Sequence, residues 1–186
     1  NGLLWIATLG QGLFIYDPET EVLTQNSIQT SFVWDVCQSY DKKKVYASSL
    51  QEGLLCFDEN GKFLQSYRVS SDVNSPDSYK INCVLDIEGE VWLGAGNNLL
   101  GRLNHETGII ENYMAPSLNF GAVRSLLKYT ENELLVGTDN GLYLFNRELK
   151  TFLRADNPAD PRSLSDQTIN GMMWDAEGAL WVLTNL

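Results

Sequence analysis

Val91-Trp92-Leu93-Gly94-Ala95 decides the fold, because the same pattern returns elsewhere in the chain. Leu4-Trp5-Ile6-Ala7-Thr8, Val45-Tyr46-Ala47-Ser48-Ser49, Leu134-Leu135-Val136-Gly137-Thr138 and Leu180-Trp181-Val182-Leu183-Thr184 all align with it. The second residues of the five copies, Trp5, Tyr46, Trp92, Leu135 and Trp181, are spaced by 41, 46, 43 and 46 residues. So even a period marks a repeat architecture in which each copy is one supersecondary unit.

Each copy brings the same neighbours. Downstream lies a second apolar run, Gly12-Leu13-Phe14-Ile15-Tyr16-Asp17, Gly53-Leu54-Leu55-Cys56-Phe57-Asp58 or Gly141-Leu142-Tyr143-Leu144-Phe145-Asn146. The third copy starts this run with Asn98, the next best residue where φ must be positive. A third run follows at Val22–Gln25, Phe63–Tyr67, Ile109–Tyr113 and Thr151–Arg154. Upstream of the Trp element lies a fourth, at Phe32–Ser39, Lys80–Asp86, Val123–Tyr129 and Thr168–Asp175. It enters a tight turn, Asp86-Ile87-Glu88-Gly89 or Asp175-Ala176-Glu177-Gly178, whose glycine suits a left-handed residue. Gly2 shares that position; Lys43 and Asn132 replace it in the second and fourth copies, and Lys43 is the poorer fit. Four short strands per repeat, rich in aromatic and β-branched residues, are the pattern of a propeller blade. The expectation for residues 1–186 is therefore an all-β chain of four-stranded antiparallel β-propeller blades, three complete and two in part.

Three stretches resemble two-component regulator propeller repeats. They are Gly89-Glu90-Val91-Trp92-Leu93-Gly94, the pair Gly137-Thr138 with Gly141-Leu142, and Ser163-Leu164-Ser165-Asp166-Gln167-Thr168-Ile169-Asn170 with Asp175, Gly178, Leu180 and Trp181. Tyr46 and Leu135 depart from that pattern at the Trp position, and Ala7 and Leu183 at a usual glycine. The resemblance implies the periplasmic sensor region of a hybrid two-component histidine kinase. In that family seven-bladed propellers precede a β-sandwich, a membrane helix and the kinase. It also implies an oligosaccharide from polysaccharide breakdown, or a similar small polar ligand, as partner, with signalling through dimer geometry in a homodimer. This chain is then expected to be a fragment of a seven-bladed propeller whose apolar end faces are covered by the remaining blades of the parent. It is expected to be non-catalytic and without a cofactor. The alternatives are a propeller glycosidase or lyase, or a passive protein-interaction scaffold.

Charge and composition narrow the partners. With 13 Lys and Arg against 24 Asp and Glu, the net charge of −11 opposes nucleic acid and anionic membrane surfaces. No apolar run approaches the roughly 20 residues of a spanning helix, so no direct membrane insertion is expected. Cys37, Cys56 and Cys83 show no CxxC spacing and read as small buried hydrophobes. The single histidine, His105, falls in a turn, and one histidine excludes a His-rich metal site. Asp86 and Asp175 read as turn caps rather than a glycosidase pair, and Asp58-Glu59-Asn60-Gly61 as a plain turn rather than a calcium loop.

Strand alternation puts the long inter-blade links on one face: Asn26–Ser31, Arg68–Tyr79, Met114–Gly121 and Ala155–Gln167. Gln51, Glu52, Asn97, Asn98, Asp139 and Asn140 join that face from shorter loops. Polar loops on a rigid scaffold are where binding concentrates. The candidate ligand-binding residues, at or near the inner-strand entrances, are Trp34, Asp35, Tyr79, Lys80, Asn82, Arg124, Arg162 and Asn170. Aromatic faces stack on sugars, and Arg, Asn and Asp bond hydroxyls or carboxylates. Trp34 aligns with Val123 and Ile169, which suits packing; Asn82 and Asn170 both follow Ile, which suits capping. Arg124 has no counterpart in that alignment, which favours a functional role.

Overall fold

The computed structural model describes residues 2–28, 30–69, 80–114, 118–160 and 163–185. Among these residues the regular structure is entirely β. Strands β1 (Leu4–Thr8), β2 (Gly12–Asp17) and β3 (Val22–Gln25) form a three-stranded sheet. Four-stranded sheets follow in chain order. The first holds β4 (Val33–Gln38), β5 (Lys44–Ser49), β6 (Gly53–Asp58) and β7 (Phe63–Tyr67). The next holds β8 (Ile81–Ile87), β9 (Glu90–Ala95), β10 (Leu99–Leu103) and β11 (Ile110–Met114). The last holds β12 (Val123–Lys128), β13 (Glu133–Thr138), β14 (Gly141–Asn146) and β15 (Thr151–Arg154). A two-stranded sheet, β16 (Ile169–Trp174) and β17 (Leu180–Thr184), ends the series. Every sheet is a meander of sequential neighbours, as the repeat predicts: three whole blades and parts of two.

Burial explains why the recurring strands read as near-continuous apolar runs. Val45–Ser49 in β5, Gly53–Phe57 in β6, Val91–Ala95 in β9 and Leu134–Thr138 in β13 are buried at every position, so both faces of these strands are covered. The outermost strands β3 and β7 are mostly exposed. The chain divides into two compact units, Asn1–Leu93 with Arg102–Glu111, and Gly94–Gly101 with Asn112–Leu186.

In the first unit, Leu13, Val33, Ala47, Leu55 and Phe57 form a core on which Trp5, Ala7, Ile28 and Val36 pack, with the Trp5 and Phe57 rings 5.5 Å apart. In the second, Leu135, Leu142 and Ile169 are joined by Leu127, Leu144, Met172, Leu180 and Val182. Gly137 shows why the repeat places a glycine there. A Cβ at that position would stand 2.6 Å from Ile169 Cγ2, so the glycine lets the next sheet approach. A chain of rings, Tyr113–Phe145–Phe152–Phe120–Tyr143, fills the rest, with centroids 4.7–5.5 Å apart.

The recurring aromatic position meets the packing expectation in part. Trp92, Tyr46 and Leu135 are buried and Trp5 is half-buried, but Trp181, in the two-stranded sheet, is 63% exposed. Its indole N–H donates instead to Asp175 Oδ2 at 2.8 Å. Cys56 and Cys83 are buried, whereas Cys37 is only half-buried.

The turns largely follow the glycines. Gly2, Gly89 and Gly178 have positive φ, and Asn98 takes the glycine's conformation at φ 60°. In the second copy the left-handed residue is Lys42 rather than Lys43. Asp41 Oδ1 accepts from the Lys43 N–H and from Ser39 Oγ, which closes that turn one residue earlier. At Gly53 (φ 82°) a Cβ would lie 2.2 Å from the Tyr67 carbonyl oxygen, whereas at Gly89 (φ 91°) it would meet nothing within 4 Å. Gly89→Ala should therefore cost only backbone strain, about 1–2 kcal/mol, while Gly53→Ala adds a backbone collision and costs more. Urea unfolding of the two variants checks the ordering.

Candidate functional site

Backbone hydrogen bonds fasten the turns after β1, β9 and β13 to the links that lead into the next sheet. In the first unit, Gly10 N–H and Gly12 N–H donate to the Ser31 carbonyl at 2.7 and 3.1 Å. In the second, Asn98 N–H donates to the Gly121 carbonyl at 2.8 Å, and Gly121 N–H returns a bond to Asn98 Oδ1 at 2.7 Å. The Ala155–Gln167 link is held at both ends: Gly141 N–H donates to the Gln167 carbonyl, Ala155 N–H donates to the Leu142 carbonyl, and Leu142 N–H donates to Asp156 Oδ1. The Asp156 side chain is buried, and the Arg154 guanidinium pairs with it at 2.9 Å. Within each unit, then, turns and long links share one end of the sheets, as strand alternation requires.

At that end the inner strands carry a repeated irregularity. In β4, Val33 pairs with Ser49 and Asp35 with Ser48, so Trp34 is an extra residue in the ladder. In β12 the register steps from Val123 to Ser125 around Arg124, and in β16 from Ile169 to Gly171 around Asn170. A β-bulge of this kind re-aims one side chain without breaking the sheet. The preceding residues Val33, Val123 and Ile169 are all buried. These positions correct the alignment drawn from sequence. Trp34 matches Arg124 and Asn170, not Val123 and Ile169, and Arg124 has counterparts after all. Trp34 is accordingly 45% exposed rather than packed. Asn82, following the buried Ile81, holds the same place in β8.

Two bulge side chains bond to the residue that follows the paired strand. Arg124 forms an ion pair with Asp139, whose other oxygen accepts from the Ala122 N–H at 2.9 Å. Asn170 Nδ2 donates to Asn185 Oδ1 at 2.7 Å. Thr168 Oγ1 donates to the Asp139 carbonyl at 3.4 Å, and Asn140 Nδ2 to the Asn119 carbonyl at 3.0 Å. Lys80 is exposed just before β8. Tyr79 and Arg162 lie outside the described residues.

Asp35 faces a neighbouring sheet of its own unit. Its two oxygens accept from the Val36 N–H at 2.9 Å and the Val84 N–H at 3.0 Å, which ties β4 to β8. Farther along the same seam, Cys37 Sγ accepts from the Asp86 N–H and Asp86 Oδ2 accepts from the Tyr40 N–H. Burial pushes the Asp35 carboxyl above the usual carboxylate range, with the two amide bonds pulling the other way. At the opposite end the carboxylates cap turns. Asp86 Oδ1 accepts from Gly89 N–H, Asp175 Oδ1 from the Glu177 and Ala179 amides, and Asp58 Oδ1 from the Asn60 and Lys62 amides. His105 Nε2 lies 3.2 Å from the Gly89 carbonyl oxygen, in the turn between β10 and β11. Among the described residues no group of three or more His, Cys, Asp or Glu is placed to hold a metal ion. Two clefts of about 540 and 460 Å³ run beside β1 and β3, and none of the candidates among the described residues lines either.

This arrangement of sheets has close structural counterparts. A structure described as the extracellular domain of a hybrid two-component system, BT4673 from B. thetaiotaomicron, superposes on 98% of the chain with a TM-score of 0.78 at 24% identity. The fold is that of a β-propeller. The corresponding domain of BT3049 from the same organism matches 98% of the chain at 18% identity with a TM-score of 0.72. The WD40 β-propeller domain of Doa1 matches the same share at 12% identity with a TM-score of 0.69. The chain spans 24% of the length of the BT4673 and BT3049 structures and 57% of the Doa1 one. No protein-family model and no curated protein matches the sequence. Among the described residues no helix is long and apolar enough to cross a membrane.

Two measurements test the geometry. Trp34→Ala removes an exposed bulge side chain and should cost less than about 1 kcal/mol, whereas Val33→Ala hollows the core beside it and should cost about 2 kcal/mol; equal losses would mean that Trp34 is packed. Asp35 titrates higher in the folded chain than in the unfolded one. Its contribution to stability is therefore full below the unfolded value of 3.8 and is lost as pH rises through the folded value. As pH rises above about 4 the melting temperature of the wild type should fall relative to that of Asp35→Asn, which cannot ionise. A constant difference would exclude this.

Proposed function

We propose that this chain is part of the ligand-sensing propeller of a hybrid two-component system, and that an oligosaccharide or similar polar ligand binds where inner strands carry a bulge and meet the long links. The observation that carries the reading is the bulge at the entrance of three inner strands, β4, β12 and β16. It turns Trp34, Arg124 and Asn170 out of the ladder while their neighbours Val33, Val123 and Ile169 stay in the core. Sheets that turn an aromatic, cationic or amide side chain out at the strand entrance are suited to recognition. The resemblance to two-component regulator repeats and the likeness to the BT4673 and BT3049 extracellular domains support the sensor assignment.

In this reading the parent protein spans the inner membrane, with these blades in the periplasm and the kinase on the far side. Further blades of the parent cover the apolar faces of the end sheets, where Ile6, Trp181 and Leu183 are exposed. Ligand occupancy reaches the kinase through the geometry of a homodimer. The segment acts without catalysis: Asp35, Asp139 and Asp166, at or beside the inner-strand entrances, accept from backbone amides, and Asp139 also pairs with Arg124.

A thermal-shift screen of the intact sensor region against oligosaccharides tests this. A ligand at about 100 times its Kd adds about 2.7 kcal/mol of stability and raises the melting temperature, with no product released from the same sugars. Turnover of a panel member would replace the sensor reading with an enzymatic one, and a panel without any shift would remove the saccharide.

A further inference from the structure

The two polar pairs of the second unit are one construction repeated in neighbouring sheets. Arg124 and Asn170 are both bulge residues, and Asp139 and Asn185 each follow the last residue of the strand paired with the bulge, Thr138 and Thr184. The hydroxyl of Thr168, two residues before Asn170, bonds the Asp139 carbonyl and so joins one pair to the entrance of the next. We propose that these pairs form a subsite selective for an uncharged polyhydroxyl ligand. The inference rests on the reading that this end binds ligand; the selectivity is an addition to it.

The chemistry follows from what each pair offers. Arg124 with Asp139 sets a donor beside an acceptor, and so does Asn170 with Asn185. A hydroxyl both donates and accepts, so two adjacent hydroxyls of a ring match such a pair with two hydrogen bonds. An anion meets a different field. The Arg124 charge is already balanced by Asp139, and the chain carries −11 overall, so a carboxylated or sulfated ligand would have to compete with a carboxylate held in place. An apolar ligand would strip water from polar groups without replacing their bonds.

Calorimetric titration of the intact chain with neutral hexasaccharides of glucose, mannose, xylose and arabinose, and with hexagalacturonate and a sulfated hexasaccharide, tests the proposal. A neutral probe is expected to bind with an affinity that changes less than about twofold between roughly 50 and 500 mM salt. Arg124→Ala and Asn170→Ala should each weaken it by roughly tenfold. Asp139→Asn leaves the Arg124 charge unbalanced and should shift preference toward hexagalacturonate, with circular dichroism confirming that each variant is folded. Tighter binding of an anionic probe by the wild type would overturn the selectivity while leaving a sensing function standing. Neutral binding unchanged in all three variants would overturn the subsite alone. Absence of binding by every probe would overturn both.

Discussion

Burial on both faces of the middle strands governs the rest of this molecule. A sheet covered on one side only can alternate apolar and polar residues, but β5, β9 and β13 must satisfy a neighbour on each side. Their central residues are therefore apolar on both faces, with the polar Ser48, Ser49 and Thr138 buried only at the strand ends, and a bulky residue, Tyr46, Trp92 or Leu135, recurs in the buried stretch. The same demand sets the place of Gly137, which leaves room for Ile169 of the adjoining sheet. Where a strand lies in a partial sheet, as β17 does, the equivalent side chain Trp181 is exposed and relies on a polar bond from its ring nitrogen.

Stacking alone does not define a face for recognition; the polar fastenings do. Turns and links are bonded backbone to backbone, so the loops that carry variable side chains start from fixed points. The bulge then separates two tasks within two consecutive residues. Val33, Val123 and Ile169 anchor the strand in the core, and the next side chain is released. In the first unit, Asp35 and Cys37 add bonds between β4 and β8 at positions where these strands do not pair as a ladder.

The repeat, the strand order and the positive-φ turns at Gly89 and Gly178 were legible because each depends on residues close together in sequence or on a regular period. The bulge was not. Val33 and Trp34 are both apolar, so an alignment by hydrophobicity can slip by one residue without any visible conflict, and that slip left Arg124 without a counterpart. The duty of Asp35 was hidden for a different reason: its second amide partner, Val84, lies 49 residues away and is brought near only by the stacking of sheets. The partner of Arg124, Asp139, was visible as a residue of the same face, but the bond between them depends on the hairpin register.

The double attachment of the Ala155–Gln167 link to the Gly141–Leu142 turn has an evolutionary consequence. A loop whose two stems are clamped to the same point is topologically closed, so added residues lengthen a closed circuit without pulling on either sheet. The entropic penalty of such growth rises only logarithmically, by about 0.6 kcal/mol for each doubling of length. New reach and new chemistry can thus be spliced into this rim while the blades beneath keep their dimensions.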